Sequence, residues 1–463
     1  MKRMALVSLM VCGGLVLAWW LLGGRPQPPG PAALPSWVTG LGEAGVSLVE
    51  VRARGQVVRF EQSVGGTWLW RSEADETWPA QPERVRAALR LLAEARPAGN
   101  SAGEPMDSAA EVLITIDGAV RRLRVGTQAL GGMTPMEVED ETGRMVSALG
   151  QAGLAPVFEP ASLLAWRADR ALAGGQTEPS VLRVRAGEDA LGLARARGRW
   201  TLAAPVMAEA ETEVVQRALA GLMEVRVVRF VPREDVEPGV TDTPSVVIVV
   251  ESEARRLEGG DVQSRTLVQE LRLGPSLGGG NATHLARIQA EWVDPATRAR
   301  VPAWGPAYAA VSAGAVSLPT RAEAVISRVA WNLALSDVRE LWLCAPGVEG
   351  ESQPVATFSR GVGEWARTSG AGGSGKDAAG VAAVASLLAE VRAERVQVPP
   401  PEGVEWLSTV HAAVGGKSVR QCEIGVGGDG RVVVRGGGVC RVYGAETAGA
   451  AAGFLRAVIG GGR

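Results

Sequence analysis

Several residue patterns could do chemistry if the fold placed them well. The segment from Gly370 through Gly375 to Lys376 and Asp377 fits the G-x-x-x-x-G-K frame of a phosphate-binding loop. That chemistry needs backbone amides around phosphate, a lysine on its outer oxygens and a serine or threonine on magnesium. Asp377 stands in the last place and would repel phosphate, so a solvated loop is expected. Gly274-Pro275-Ser276-Leu277-Gly278 fits a nucleophile elbow, with His284 as the nearest base. An elbow needs a strand before it and a helix after it. Leu271 to Leu273 can supply the strand, but Gly278, Gly279 and Gly280 break any helix, so Ser276 is expected to be a turn serine. The two histidines, His284 and His411, have no ligand set nearby. The expectation is no catalytic, metal or cofactor site. Cys422 and Cys440 flank a hairpin and could either pair as a disulfide or remain free thiols.

The elements that would position such groups are legible from tryptophan. Trp68, Trp200 and Trp365 recur in one context: an alternating apolar segment, a glycine-containing turn, then the Trp. The alternation falls on Val58/Phe60, Leu191/Leu193 and Ala356/Phe358. Period-two alternation around a turn predicts a β-hairpin with the Trp on its buried face. An amphipathic helix follows each hairpin, with stripes Val85/Ala88/Leu89/Leu92, Val215/Ala218/Leu219/Leu222 and Val384/Leu387/Leu388/Val391. The i, i+3, i+4, i+7 spacing marks one helical face. The first valine lies 17, 15 and 19 residues after its Trp. A second half recurs as well: Leu123 to Gly132 (LRVGTQALGG) matches Leu271 to Gly280 (LRLGPSLGGG). A third version, Gln421 to Tyr443, reads as strand, Gly-Asp-Gly turn, strand. The three structural tryptophans are expected to anchor sheet–helix cores.

These motifs resemble the bacterial family named "domain of unknown function 4340", with its strand–turn–Trp–helix half and its Leu-x-Leu-Gly half. The resemblance covers most of residues 45–460. It implies no established activity and an auxiliary role in the cell envelope, beside transport components of the gliding-motility type. A shortened third copy and long glycine-rich insertions depart from the family pattern.

The rest concerns location and class. Met4 to Leu22 is an uncharged run preceded by Lys2 and Arg3. It predicts a transmembrane helix with a cytoplasmic N-terminus and an extracytoplasmic remainder, as a single-pass protein of a bacterial membrane. The expected organisation is an anchor over 1–24, a Pro-rich linker over 25–44, and repeat units over 45–175, 180–335 and 338–457, the last shortened. The expected fold class is α+β: the anchor, then three tandem repeats of antiparallel sheet plus helix. The chain has 463 residues, 48 Lys+Arg and 50 Asp+Glu, for a net charge of −2. That balance offers no bulk positive field for nucleic acid. The function expected is a non-catalytic scaffold or accessory subunit of an envelope, transporter-like assembly, with membrane or envelope proteins as partners. The alternative is a module binding envelope polysaccharide or peptide, which would gain from exposed Trp70, Trp78 or Trp292 lining one groove. A serine hydrolase using Ser276 and His284 is a third reading.

Overall fold

The computed structural model describes residues 33–460, apart from 43–44, 64–66, 99–105, 128–131, 173–177, 238, 240–242, 259–260, 278–282, 313–317, 332, 348–353, 363, 371–375 and 415–417. The chain forms two compact units, Met1–Ala168 and Asp169–Arg463. It is mostly antiparallel sheet, in three sheets.

The first unit holds β1 (Val46–Ala53), β2 (Gln56–Gln62), β3 (Trp68–Ser72), β4 (Thr77–Pro79), β5 (Arg96–Pro97), β6 (Ser108–Ile116), β7 (Ala119–Gly126), β8 (Met133–Glu139) and β9 (Met145–Gln151). In the second unit, the second sheet holds β10 (Pro179–Ala186), β11 (Asp189–Ala196), β12 (Arg199–Ala204), β13 (Ala208–Glu209), β14 (Arg226–Val231), β15 (Val246–Glu258), β16 (Asp261–Ser276), β17 (Thr283–Val293) and β18 (Arg300–Ser312). The third sheet follows with β19 (Val338–Cys344), β20 (Ala356–Arg360), β21 (Trp365–Ser369), β22 (Arg395–Gln397), β23 (Glu405–Val414), β24 (Ser418–Val426), β25 (Val432–Gly436) and β26 (Val439–Tyr443).

The three sheets share one plan. Their strand orders are β4-β3-β2-β1-β6-β7-β8-β9-β5, β13-β12-β11-β10-β15-β16-β17-β18-β14 and β21-β20-β19-β23-β24-β25-β26-β22. Each place in one order has its counterpart in the others, except that the third lacks a partner for β4 and β13 among the described residues. The third copy's second half is a three-strand meander, because Gly437 and Gly438 turn the chain at φ 59° and 76° and split the expected second strand in two.

Each sheet buries one face under a helix: Pro82–Ala93, Thr212–Met223 and Lys376–Ala389. Val85, Ala88, Leu89 and Leu92 are buried on the first, and Val215, Ala218, Leu219 and Leu222 on the second. The third helix ends at Ala389, so Val391 lies just beyond it. It is apolar on more of its circumference, because a further helix, Ala445–Gly460, packs against it. Contact there depends on Gly380, where a Cβ would come within 2.1 Å of the Phe454 ring.

Among the described residues, no helix is long and apolar enough to cross a membrane. This corrects the expected fold class, an α+β chain led by a transmembrane helix, and the expected single-pass membrane localisation. The longest described helix, Ala445–Gly460, has 16 residues, and its Ala448, Ala451, Ala452 and Leu455 are buried in the protein. It spans about 24 Å against the ~30 Å of a bilayer core. Met4 to Leu22 lies outside the described residues. The linker predicted over 25–44 ends early: Ser36–Thr39 is a helical turn with Val38 buried, and Trp37 Nε1 donates to Glu139 O at 3.0 Å.

Candidate functional site

Because the sheets share one strand order, their registers can be aligned, and one place stands out. In the first sheet a row runs Val125–Met136–Ala148–Pro97 across β7, β8, β9 and β5. In the second the same row is Leu273–Ala286–Ala309–Phe230. In the third it is Ile424–Val434–Arg441–Val396. Ala148 and Ala309 are buried at 1% and 0% exposure, and Arg441 occupies their place at 4%.

The adjoining row has changed too. Leu123 faces Val138 and Leu271 faces Ile288 in the first two sheets. In the third, Cys422 takes the leucine position, and Gly436 lies against it. Two large side chains have become two small ones beside an alanine that has become arginine. The result is a cavity of about 130 Å³, lined by Arg441, Cys422, Gly436, Trp331, Glu209 and Met207 among others.

The elements around the cavity hold it open. Segment 322–331, after the second sheet, pairs with the second copy through Ala210↔Ile326 and the Ser327 N–H to Glu209 O, 2.9 Å. It then reaches the third copy, where the Trp331 N–H donates to Leu388 O at 2.7 Å. Arg441 Nε donates to Ser327 O at 2.8 Å, its one hydrogen bond among the described residues. Gly437 admits the second copy's backbone; a Cβ there would stand 3.0 Å from Met207 O.

The charge balance is incomplete. Burial lowers the Arg441 pKa from its ordinary value. Burial raises those of Cys422, Cys440 and Tyr443, which keeps all three neutral near pH 7. Glu209 is paired to Arg420, Nη2 to Oε1 at 3.1 Å. Among the described residues, Arg441 has no ion-pair partner.

The residues singled out from the sequence fall as follows. Trp68, Trp200 and Trp365 are 0%, 2% and 7% exposed, in β3, β12 and β21. The disulfide alternative for Cys422 and Cys440 is corrected: both are buried free thiols. Cys422 packs with Ile424, Val434 and Tyr443, while Cys440 packs with Val433 and Val442 on the other face. Two strand spacings separate them, about 9.6 Å, beyond the ~7 Å that a disulfide spans between Cα atoms. Ser276 and His284 do come together, as register partners on β16 and β17. His284 Nδ1 lies 3.3 Å from Gly274 O, and the next described element after β16 is the strand β17. Gly370 closes β21 at φ 108°, where a Cβ would come within 2.5 Å of Val355 O, and Asp377 pairs with Arg367 at 3.3 Å. Residues 371–375 lie outside the described residues. His411 sits on β23 beside Trp342, ring centroids 6.5 Å apart. Among the described residues no group of three His, Cys, Asp or Glu could hold a metal.

Sequence reasoning missed Arg441. The signal that could have found it is the alignment of Cys422-Glu423-Ile424-Gly425 with Leu123-Arg124-Val125-Gly126 and Leu271-Arg272-Leu273-Gly274. No family model matches the chain, and neither a curated protein nor a solved structure matches it.

Proposed function

We propose that the protein is a non-catalytic scaffold or accessory subunit that presents repeated sheet surfaces to protein partners. Repetition of one strand order three times is the observation that carries this reading. Each sheet keeps its helix-covered side for the core. Away from that core, cross-strand ion pairs line the strands: Glu50 with Arg59, Glu251 with Arg183, Glu423 with Arg435, and Arg52 joins Glu50 along β1. Repeats in series offer extended surfaces for contact. The near-balanced charge gives no support to a nucleic-acid partner.

Of the three tryptophans that motivate the alternative, a module binding polysaccharide or peptide, Trp70 and Trp78 are each 1% exposed and belong to the core, and Trp292 on β17 is partly buried. The test is affinity purification of the tagged full chain from its native cells, with cross-linking mass spectrometry. The account expects stoichiometric recovery of defined partner proteins, with cross-links on strand-borne residues. Recovery of the chain alone would contradict it.

A further inference from the structure

We infer that the cavity at Arg441 is a binding site for a carboxylate group. The inference goes beyond the scaffold reading and stands or falls separately, because it concerns one pocket within the second compact unit.

The first support is the comparison among copies. Ala148 and Ala309 show that this sheet position packs well with a methyl group. An arginine there is a large, charged departure, and burying a charge without a partner costs several kcal/mol. Among the described residues Arg441 has no such partner. Its Nε is held by Ser327 O, which aims the guanidinium, and among the described residues its terminal nitrogens make no hydrogen bond or ion pair. Cys422 and Tyr443, the titratable groups packed on its own face, stay neutral. The acid closest at hand, Glu209, is engaged by Arg420.

The second support is space. Cys422 and Gly436, in place of leucine and a β-branched residue, leave room in front of the guanidinium. About 130 Å³ is roughly four waters at ~30 Å³ each. That accommodates a carboxylate with a short carbon stem. Trp331 and the exposed Met207 supply apolar wall for the stem.

The charge selects among anions. Arg441, Arg420 and Glu209 sum to a single positive charge, which a monoanion neutralises. The free fork of a guanidinium matches the two oxygens of a carboxylate in plane, with N–H···O distances of ~2.7–2.9 Å. A phosphate dianion would be left half compensated. The carboxylate could belong to a free small organic acid or to the C-terminus of a peptide. Both present the same group, and the experiment separates them.

The test is isothermal titration of the full chain, above the second ionisation of phosphate, with acetate, propionate, inorganic phosphate, and an acetylated tetra-alanine peptide as free acid and as C-terminal amide. The expected result is saturable binding of the carboxylates, with phosphate weaker and the amide silent. If acetate or propionate binds more tightly than the peptide acid, the source is a small acid; the reverse order assigns a peptide terminus. Arg441→Ala removes the charge and installs the residue that the other copies carry. Cys422→Leu keeps the charge and fills the room. Each is expected to weaken carboxylate binding about tenfold or more, with circular dichroism unchanged. Cys422→Leu alone decides the matter if Arg441→Ala does not fold. No saturable carboxylate binding, tighter binding of phosphate, or undiminished binding by the variants would each overturn the proposal.

Discussion

The second and third sheets carry the same plan with opposite treatment of one position. Ala309 closes the second sheet's core with a methyl beside its register partner Ala286, and Leu271 and Ile288 fill the adjoining row. Arg441 opens the third, with Cys422 and Gly436 drawn back from it. Repetition thus supplies an internal control. A feature common to the copies is what the fold requires, and a feature confined to one is what that copy adds. The tryptophan hairpins and the helix stripes belong to the first kind. The arginine, the shrunken pair beside it and the extra C-terminal helix belong to the second.

The comparison can be broken in a definite order. The largest effect is expected from Ala309→Arg, which puts the third sheet's charge into a core with no cavity. Overpacking and an unpaired buried charge together should cost about 5 kcal/mol or more. Urea denaturation checks it, and a stable variant would mean that the second sheet hides a similar cavity. Next comes Trp200→Ala, expected to lose ~3–5 kcal/mol by cavity formation, with Trp68→Ala alike. A much smaller loss at either would show that the shared hairpins do not anchor the cores. The reciprocal exchange, Arg441→Ala, should leave stability unchanged or raise it by about 1–2 kcal/mol, since relief of the buried charge outweighs one lost hydrogen bond. Thermal unfolding reads the sign.

The smallest effect concerns Glu50, an ion-paired carboxylate of the first sheet. Burial raises its pKa, but hydrogen bonds from Arg59 and Arg52 outweigh burial and leave it below the ordinary carboxylate value. Its contribution is therefore present above the unfolded carboxyl range and is lost as pH falls through the lower folded value. Glu50→Gln should remove about 1 kcal/mol near neutral pH, the neighbouring arginines being half exposed, and should flatten the acid limb of the stability profile.

Much of the frame was legible in the sequence, and the reasons are specific. The Trp68, Trp200 and Trp365 hairpins announce themselves through period-two alternation and a rare large residue. The helices at 82–93 and 212–223 show their stripes because one face alone is buried. The third helix shows its stripe less cleanly, because Phe454 and its helix cover a second face. Trp70 and Trp78 look like surface residues in a charged stretch. Burial places them in the core, where Trp70 on β3 pairs with Phe60 on β2 and the Arg167 guanidinium stacks 3.8 Å from the Trp70 ring. Arg441 was illegible for a similar reason. In Val439-Cys440-Arg441-Val442-Tyr443 both alternating sets are apolar apart from the arginine, which reads as a solvated edge residue. Only the pairing of β24, β25 and β26 reveals that it stands where two alanines stand elsewhere. The Cys422–Cys440 disulfide failed on the same ground, since spacing along the chain does not tell which face of a sheet a thiol occupies.

The most direct test of the altered third sheet is a crystal structure of the full chain grown with propionate, read by difference electron density. The account predicts propionate density in the cavity, with the carboxylate oxygens ~2.7–2.9 Å from the terminal nitrogens of Arg441. An empty cavity, with the Glu209 carboxylate swung from Arg420 onto Arg441, would contradict it.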